Sequence, residues 1–239
     1  MTLIRKSFYS GIQNKTYDYH VLKASDTIEE AFVLYVQDGN DYLELGGVES
    51  TVQKLMHLNP ELTEKLIIVF IHPGDSLERW HSYHRKGESF AIFTRFMVEE
   101  FIPSIEQELT VQNIYIVKRG LLGDSLGGNI ILNIALQSPN IWTHLLLQSA
   151  AVSKEDIKSL SRLEKLDWSI YQTVGTFEDE FVSPITKTKL YILSRNKELY
   201  QVFLDKMARI HYSEQAEEHL WTFWNKDLPN ALNFFIKTP

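Results

Sequence analysis

The chain of 239 residues has no cysteine. That absence excludes disulfides, thiolate zinc sites and a cysteine nucleophile together. Basic residues are outnumbered, with 24 Lys and Arg against 31 Asp and Glu and a net charge of −7. Such a balance argues against a nucleic-acid or anionic-membrane surface, which needs a basic patch. No apolar run reaches the length of a membrane span, and Met1–Ser7 lacks the apolar core of a secretion signal. The expected location is the cytoplasm. The glycine patterns of nucleotide sites are missing too. No G-x-G-x-x-G follows the first strand and no G-x-x-x-x-G-K-[ST] occurs. The histidines show no H-x-x-x-H or H-E-x-x-H spacing, and His81 and His84 lack a third ligand. No metal and no cofactor are expected.

What is present is a large core in the making. Hydrophobic residues make up 44% and charged residues 23%, without linker, repeat or low-complexity segment. The length suits one domain over residues 1–239. Apolar runs at 31–36, 66–71, 143–148 and 170–174 read as strands. Residues 16–24 alternate like an antiparallel strand, and 208–213 read as a final strand. Helical spacing covers 43–58, 88–109 with a kink or a restart at Pro103, 191–207 and 224–236. Strands and helices alternate almost throughout. The expectation is an α/β protein with a mostly parallel sheet of about eight strands and five or six helices on both faces.

Within that pattern, Gly123-Asp124-Ser125-Leu126-Gly127 is a G-x-S-x-G pentapeptide. The strand-like Tyr115–Leu122 precedes it, and Gly128–Leu136 follows with apolar residues at helical spacing. A strand, a sharp turn and a helix meeting at Ser125 describe a nucleophile elbow. The order of elements fits the α/β-hydrolase fold. A serine hydroxyl needs a base, and the base needs a carboxylate to orient it. In this fold the chain order is Ser, then Asp or Glu, then His. Three histidines follow Ser125. His144 lies inside an apolar strand, His211 lies in the last strand, and His219 sits just after it, which favours His219. After the strand ending at Val174, Gly175-Thr176-Phe177-Glu178-Asp179-Glu180 offers the acid. A G-x-x-[DE] step picks Glu178, with Asp179 as the alternative. Two backbone N–H groups must hold the oxyanion. Leu126 supplies one, and the turn Gln37–Tyr42 the other, through Asn40 or, second, Asp41.

The chain resembles the esterases of the enterochelin-esterase and esterase-D type. The likeness is carried by Tyr35–Tyr42 ending in D-G, by Arg79–Tyr83 with Glu100-Phe101-Ile102-Pro103, by the G-x-S-x-G-G elbow, and by His219–Trp224 as H-x-W-x-x-W. These stretches run over residues 31–235. The resemblance implies a cofactor-free serine esterase with Ser125 as nucleophile, His219 as base, Glu178 as acid, and Asn40 and Leu126 as oxyanion donors. Its substrate would be a small carboxylic ester, siderophore lactones included. A thioesterase of the S-formylglutathione-hydrolase kind, an acyltransferase and a non-catalytic binding protein are the alternatives on the same scaffold. Gly39, Asp41, Tyr42, Arg79, Phe177 and Trp221 are the candidate substrate contacts. Arg79, with His81, His84 and Arg85, would supply positive charge for an anionic siderophore. Assembly is open, with a homodimer as one arrangement.

Overall fold

The computed structural model describes residues 1–239. Eight strands form one sheet: β1 (Thr2–Ser10), β2 (Lys15–Lys23), β3 (Glu30–Val36), β4 (Leu66–Ile71), β5 (Tyr115–Asp124), β6 (His144–Gln148), β7 (Ser169–Gly175) and β8 (Arg209–Gln215). Their spatial order is β1-β2-β4-β3-β5-β6-β7-β8. The first two strands pair antiparallel, β2 pairs antiparallel with β4, and the remaining six run parallel. This is the α/β-hydrolase sheet.

Ten α-helices accompany it: α1 (Gly39–Glu44), α2 (Val48–Leu58), α3 (Pro60–Thr63), α4 (Ser76–Tyr83), α5 (Phe90–Arg95), α6 (Ile102–Val111), α7 (Ser125–Gln137), α8 (Lys154–Ser161), α9 (Ile192–Asp205) and α10 (Trp221–Lys237). None is long and apolar enough to cross a membrane.

The central strands are apolar at every position because both faces are covered, and their side chains divide by parity. Val33 and Tyr35 of β3, with Ile67, Val69 and Ile71 of β4, face a core of 36 buried residues built with α5–α9. Phe32, Leu34 and Val36, with Leu66, Ile68 and Phe70, face a core of 20 built with α1, α2 and α10. The second layer carries α1 and α10, the helices that follow the D-G turn and His219, with α2 beside them.

Strand β1 supplies the eighth of the expected strands, with no apolar run to mark it. It is an edge strand with exposed Arg5 and half-buried Lys6, so it lacks the apolar signature of its neighbours. Four expectations from sequence need correction. The helix expected over 88–109 is α5, a π-helical turn at Phe96–Phe101, and α6. Pro103 has no N–H to continue the α ladder, and the widened turn bonds Ile102 N–H to Met97 O instead. The helix expected over 43–58 breaks at Gly46-Gly47, and its first part starts earlier, at Gly39. The segment read as an open turn is therefore one left-handed residue, Asp38, followed directly by helix. Several of the helices are only one or two turns long, which is why five or six were expected and ten are found.

Candidate active site

Strand β5 runs straight into α7, and the chain reverses at Ser125 with φ of 46°. That left-handed backbone is unusual for a residue with a side chain and persists only where its surroundings hold it. Two glycines allow the reversal. A Cβ on Gly123 would lie 2.4 Å from the backbone of Gly127, and one on Gly127 would lie 2.7 Å from Asp38 Oδ2. The turn is pinned by Ala151 N–H, which donates to Ser125 O at 2.8 Å. Helix α7 is apolar nearly all round because it is buried, and its polar Asn129 donates to Tyr83 O at 2.8 Å. The first N–H groups of α7, Leu126 among them, have no partner within the helix.

The loop after β8 brings His219 to the elbow, 94 residues away in sequence. Its Nε2 lies 2.8 Å from Ser125 Oγ. Its Nδ1 stands 3.3 Å from Glu178 Oε2. Glu178 opens a short 3-10 turn after β7 and is wholly buried. Its other oxygen, Oε1, accepts from Ser149 Oγ at 2.6 Å, and Ser149 Oγ accepts from the Trp224 indole N–H at 2.9 Å. The His219 ring is enclosed by Phe181, with centroids 4.3 Å apart, and by the edge of Trp224 at 4.9 Å. Asp179 points elsewhere and accepts from Ser194 N–H at 2.9 Å and Ser194 Oγ at 2.6 Å in the first turn of α9. His211 stacks on Tyr171, and His144 packs edge-on against Phe235.

On the other side of Ser125 is the turn after β3. Asp38 adopts φ of 58°, and α1 starts at the next residue. Gly39, Asn40 and Asp41 form the first turn of α1, where N–H groups are free of helical partners. Gly39 is buried, Asn40 is exposed and Asp41 is half-buried. Burial and the nearby Asp38 charge push the Asp41 carboxyl up. Asn40 and Glu44 line a polar cleft of about 600 Å³ with His20 and His72, whose Nδ1 and Nε2 are 2.7 Å apart.

The remaining candidate contacts fall into two groups. Phe177 (57% exposed) and Leu220 (51% exposed) flank Glu178 and His219 on the outer rim. Trp221 is half-buried and meets the edge of Tyr42 at 5.1 Å. Tyr42 itself is fully buried, and its hydroxyl donates to Gln148 Oε1 at 2.8 Å, so it supports the site from beneath. Arg79 is not a free cation. Its Nε and Nη2 donate to the two Asp38 oxygens at 2.7 and 2.5 Å. Arg85 is likewise paired, with Asp156 at 2.6 Å and Asn133 at 2.8 Å. His84 stacks on Trp80 at 4.9 Å, and burial pushes its pKa down. The positive charge foreseen at this position is thus largely matched inside the protein.

Sequence reasoning missed three buried groups: Ser149, Asp38 as the partner of Arg79, and Asp124. Asp124 is 2% exposed, and its Oδ1 has no partner. Burial, then the Asp38 charge, pushes its carboxyl well up, with Arg79 opposing. Only the position of Asp124 beside Ser125 was visible in sequence.

The model of the family described as "Putative esterase" matches residues 23–235. An uncharacterized Bacillus subtilis (strain 168) protein, YjcH, is 29% identical over 234 residues, covering 97% of this chain and 96% of its own. A ferulic acid esterase superposes with a TM-score of 0.73 at 16% identity, covering 99% of this chain and 98% of its own. The enterochelin esterase of Shigella flexneri superposes with a TM-score of 0.79 at 16% identity, over 99% of this chain and 59% of that protein. The α/β-hydrolase fold is shared with both. With the family match spanning nearly its whole length, the chain belongs to this esterase family and is a carboxylic ester hydrolase.

Proposed function

We propose that the protein hydrolyses a small carboxylic ester through a Ser125–His219–Glu178 triad and an acyl-enzyme. The observation that carries this reading is the 2.8 Å approach of His219 Nε2 to Ser125 Oγ on a left-handed elbow. His219 Nε2 takes the hydroxyl proton as Ser125 Oγ forms a bond to the ester carbonyl carbon. The carbonyl oxygen becomes an oxyanion, held by Leu126 N–H and by an N–H at the start of α1, Asn40 in the first instance. The C–O bond to the alcohol then breaks, and the alcohol leaves with the proton from His219. Water adds to the acyl-enzyme by the same route in reverse, giving up a proton to His219 and freeing the acid and Ser125. Glu178 orients the ring through Nδ1 and stabilises the cation formed in each step, while Ser149 and Trp224 hold Glu178.

The exposed Phe177 and Leu220 beside the triad favour an ester with an apolar or aromatic group on that side. The internal pairing of Arg79 and Arg85 weighs against a highly anionic ligand such as a ferric catecholate. The test is fluorophosphonate labelling of wild type and Ser125→Ala, read by intact mass. One adduct on wild type and none on the variant is the expected result. Equal labelling of both proteins, or of neither, would sink the triad.

A further inference from the structure

We propose that Arg79 is a positioning residue for ester hydrolysis, a brace that holds the turn after β3 and the nucleophile elbow in one register through Asp38 and Asp124. The inference rests on the oxyanion reading above, in which these two segments each supply a backbone donor.

The two segments have no covalent reason to stay aligned, since 84 residues separate Asp38-Gly39 from the elbow (from 39 to 123). Arg79, on α4, joins them. Its fork takes both oxygens of Asp38, and Nη2 also stands 3.9 Å from Asp124 Oδ2, next to the nucleophile. Both carboxyl groups are buried, at 3% and 2% exposure. Asp38 also reaches the elbow helix, because its Oδ2 fills the space that a Cβ on Gly127 would take. Asp38 sits in a left-handed conformation, which aspartate adopts more readily than most residues with a side chain, and its carboxylate is thereby turned toward Arg79 and the elbow.

The brace is itself anchored. Helix α4 starts with a capping box formed by Asp75 and Glu78. It ends at Tyr83, whose carbonyl accepts from Asn129 of α7 and whose hydroxyl donates to Gln37 Oε1 at 2.7 Å. The Arg79 guanidinium lies 5.7 Å from the Tyr83 ring centre. Burial is the largest influence and opposes its charge, but the Asp38 charge and hydrogen bonds, with the nearby Asp124, together outweigh it and push its pKa up. A planar bidentate donor suits this task, and a lysine ammonium, a point charge without that fork, does not reproduce its geometry.

A substrate contact and a brace differ in kinetics. A brace acts on the transition state, so its loss lowers kcat with little change in KM, whereas loss of a substrate contact raises KM. The experiment measures kcat, KM and melting temperature for Arg79→Ala and Arg79→Lys on a p-nitrophenyl ester, with and without added guanidinium, alongside Ser125→Ala. Loss of one oxyanion donor costs about 10²- to 10³-fold in kcat, and we expect a fall of that order in Arg79→Ala, with KM within about twofold. Guanidinium should restore part of the rate. Arg79→Lys should also lose kcat at a melting temperature near wild type, and guanidinium should not rescue it. Wild-type kcat in a folded Arg79→Ala, or a raised KM at unchanged kcat, would overturn the brace. If the alanine variant does not fold, Arg79→Lys decides alone: a kcat loss supports the brace and a wild-type kcat overturns it. Ser125→Ala separates the two levels. Wild-type turnover in that variant removes the triad reading itself, whereas loss of turnover there beside unaffected Arg79 variants removes only the brace.

Discussion

Glu178 Oε2 stands 3.3 Å from His219 Nδ1, while the very next residue, Asp179, is engaged with Ser194. Two adjacent carboxylates in one acidic loop thus have different neighbours. Glu178→Gln should lower kcat by about 10³- to 10⁴-fold, the scale seen when an aspartate of a serine triad becomes an amide. Asp179→Asn should leave kcat near wild type and lower stability by about 1 kcal/mol, through weakened bonds to the start of α9. Steady-state kinetics and urea unfolding of both variants decide it, and the opposite pattern would move the acid to Asp179.

Ser149 works behind the carboxylate. Its hydroxyl donates to Glu178 and receives the Trp224 indole N–H, so Ser149→Ala removes both bonds inside a buried site. Leaving such groups unsatisfied costs about 1–3 kcal/mol. Freed from its holder, Glu178 can shift, and a misplacement near 1 Å reduces turnover by up to about 10²-fold. Unfolding midpoints and kcat measured together test this. Unchanged kcat would mean that Glu178 is held by its packing alone.

The elbow tolerates no methyl groups. A Cβ on Gly123 would meet backbone atoms of Gly127 at 2.4 Å, and backbone cannot yield as a side chain can. A Cβ on Gly127 would meet the Asp38 carboxylate, which Arg79 holds in place. Overpacking of this kind costs about 1–3 kcal/mol, with Gly123→Ala expected at the upper end. Both variants should lose activity. Retained activity in Gly123→Ala would show that the turn relaxes more readily than its geometry implies.

Acid should destabilise the protein through buried histidines. Burial, with Lys118 nearby, pushes the His144 pKa down to about 3, and burial with His20 nearby pushes His72 down to about 4. Each folded-state value lies below the unfolded one, so each contributes stability that is present above about pH 6.5 and lost as the pH falls toward the folded value. At pH 5, about 1.5 units below the unfolded value, His144 alone should account for about 2 kcal/mol of lost stability. His144→Leu removes that titration. The difference in unfolding free energy between pH 7 and pH 5 should shrink by about that amount, measured by urea denaturation. An unchanged difference would show that His144 takes up its proton without unfolding.

Most of the fold was legible because its signals are local. Solid apolar runs at 31–36 and 66–71 mark strands buried on both faces, and helical spacing after Gly128 marks α7. The meeting of the two patterns at Ser125 marks the elbow. Failures of local reading have local causes too. The charged, half-exposed β1 carries no apolar period, and the helix read through 88–109 is divided by a π turn at Phe96–Phe101 before it restarts at Ile102, beside Pro103.

The sequence by itself determined the fold class, the position of the elbow, and the short set of histidines and carboxylates able to serve it, because periodicity, glycine spacing and chain order are properties of neighbouring residues. Tertiary structure alone decided which of two adjacent acids faces His219, that Ser149 holds it, and that Arg79 is joined to Asp38 and not left free. Those partners lie 29 to 41 residues apart, and only the packing of α4, α7 and α10 against the sheet brings their polar atoms together.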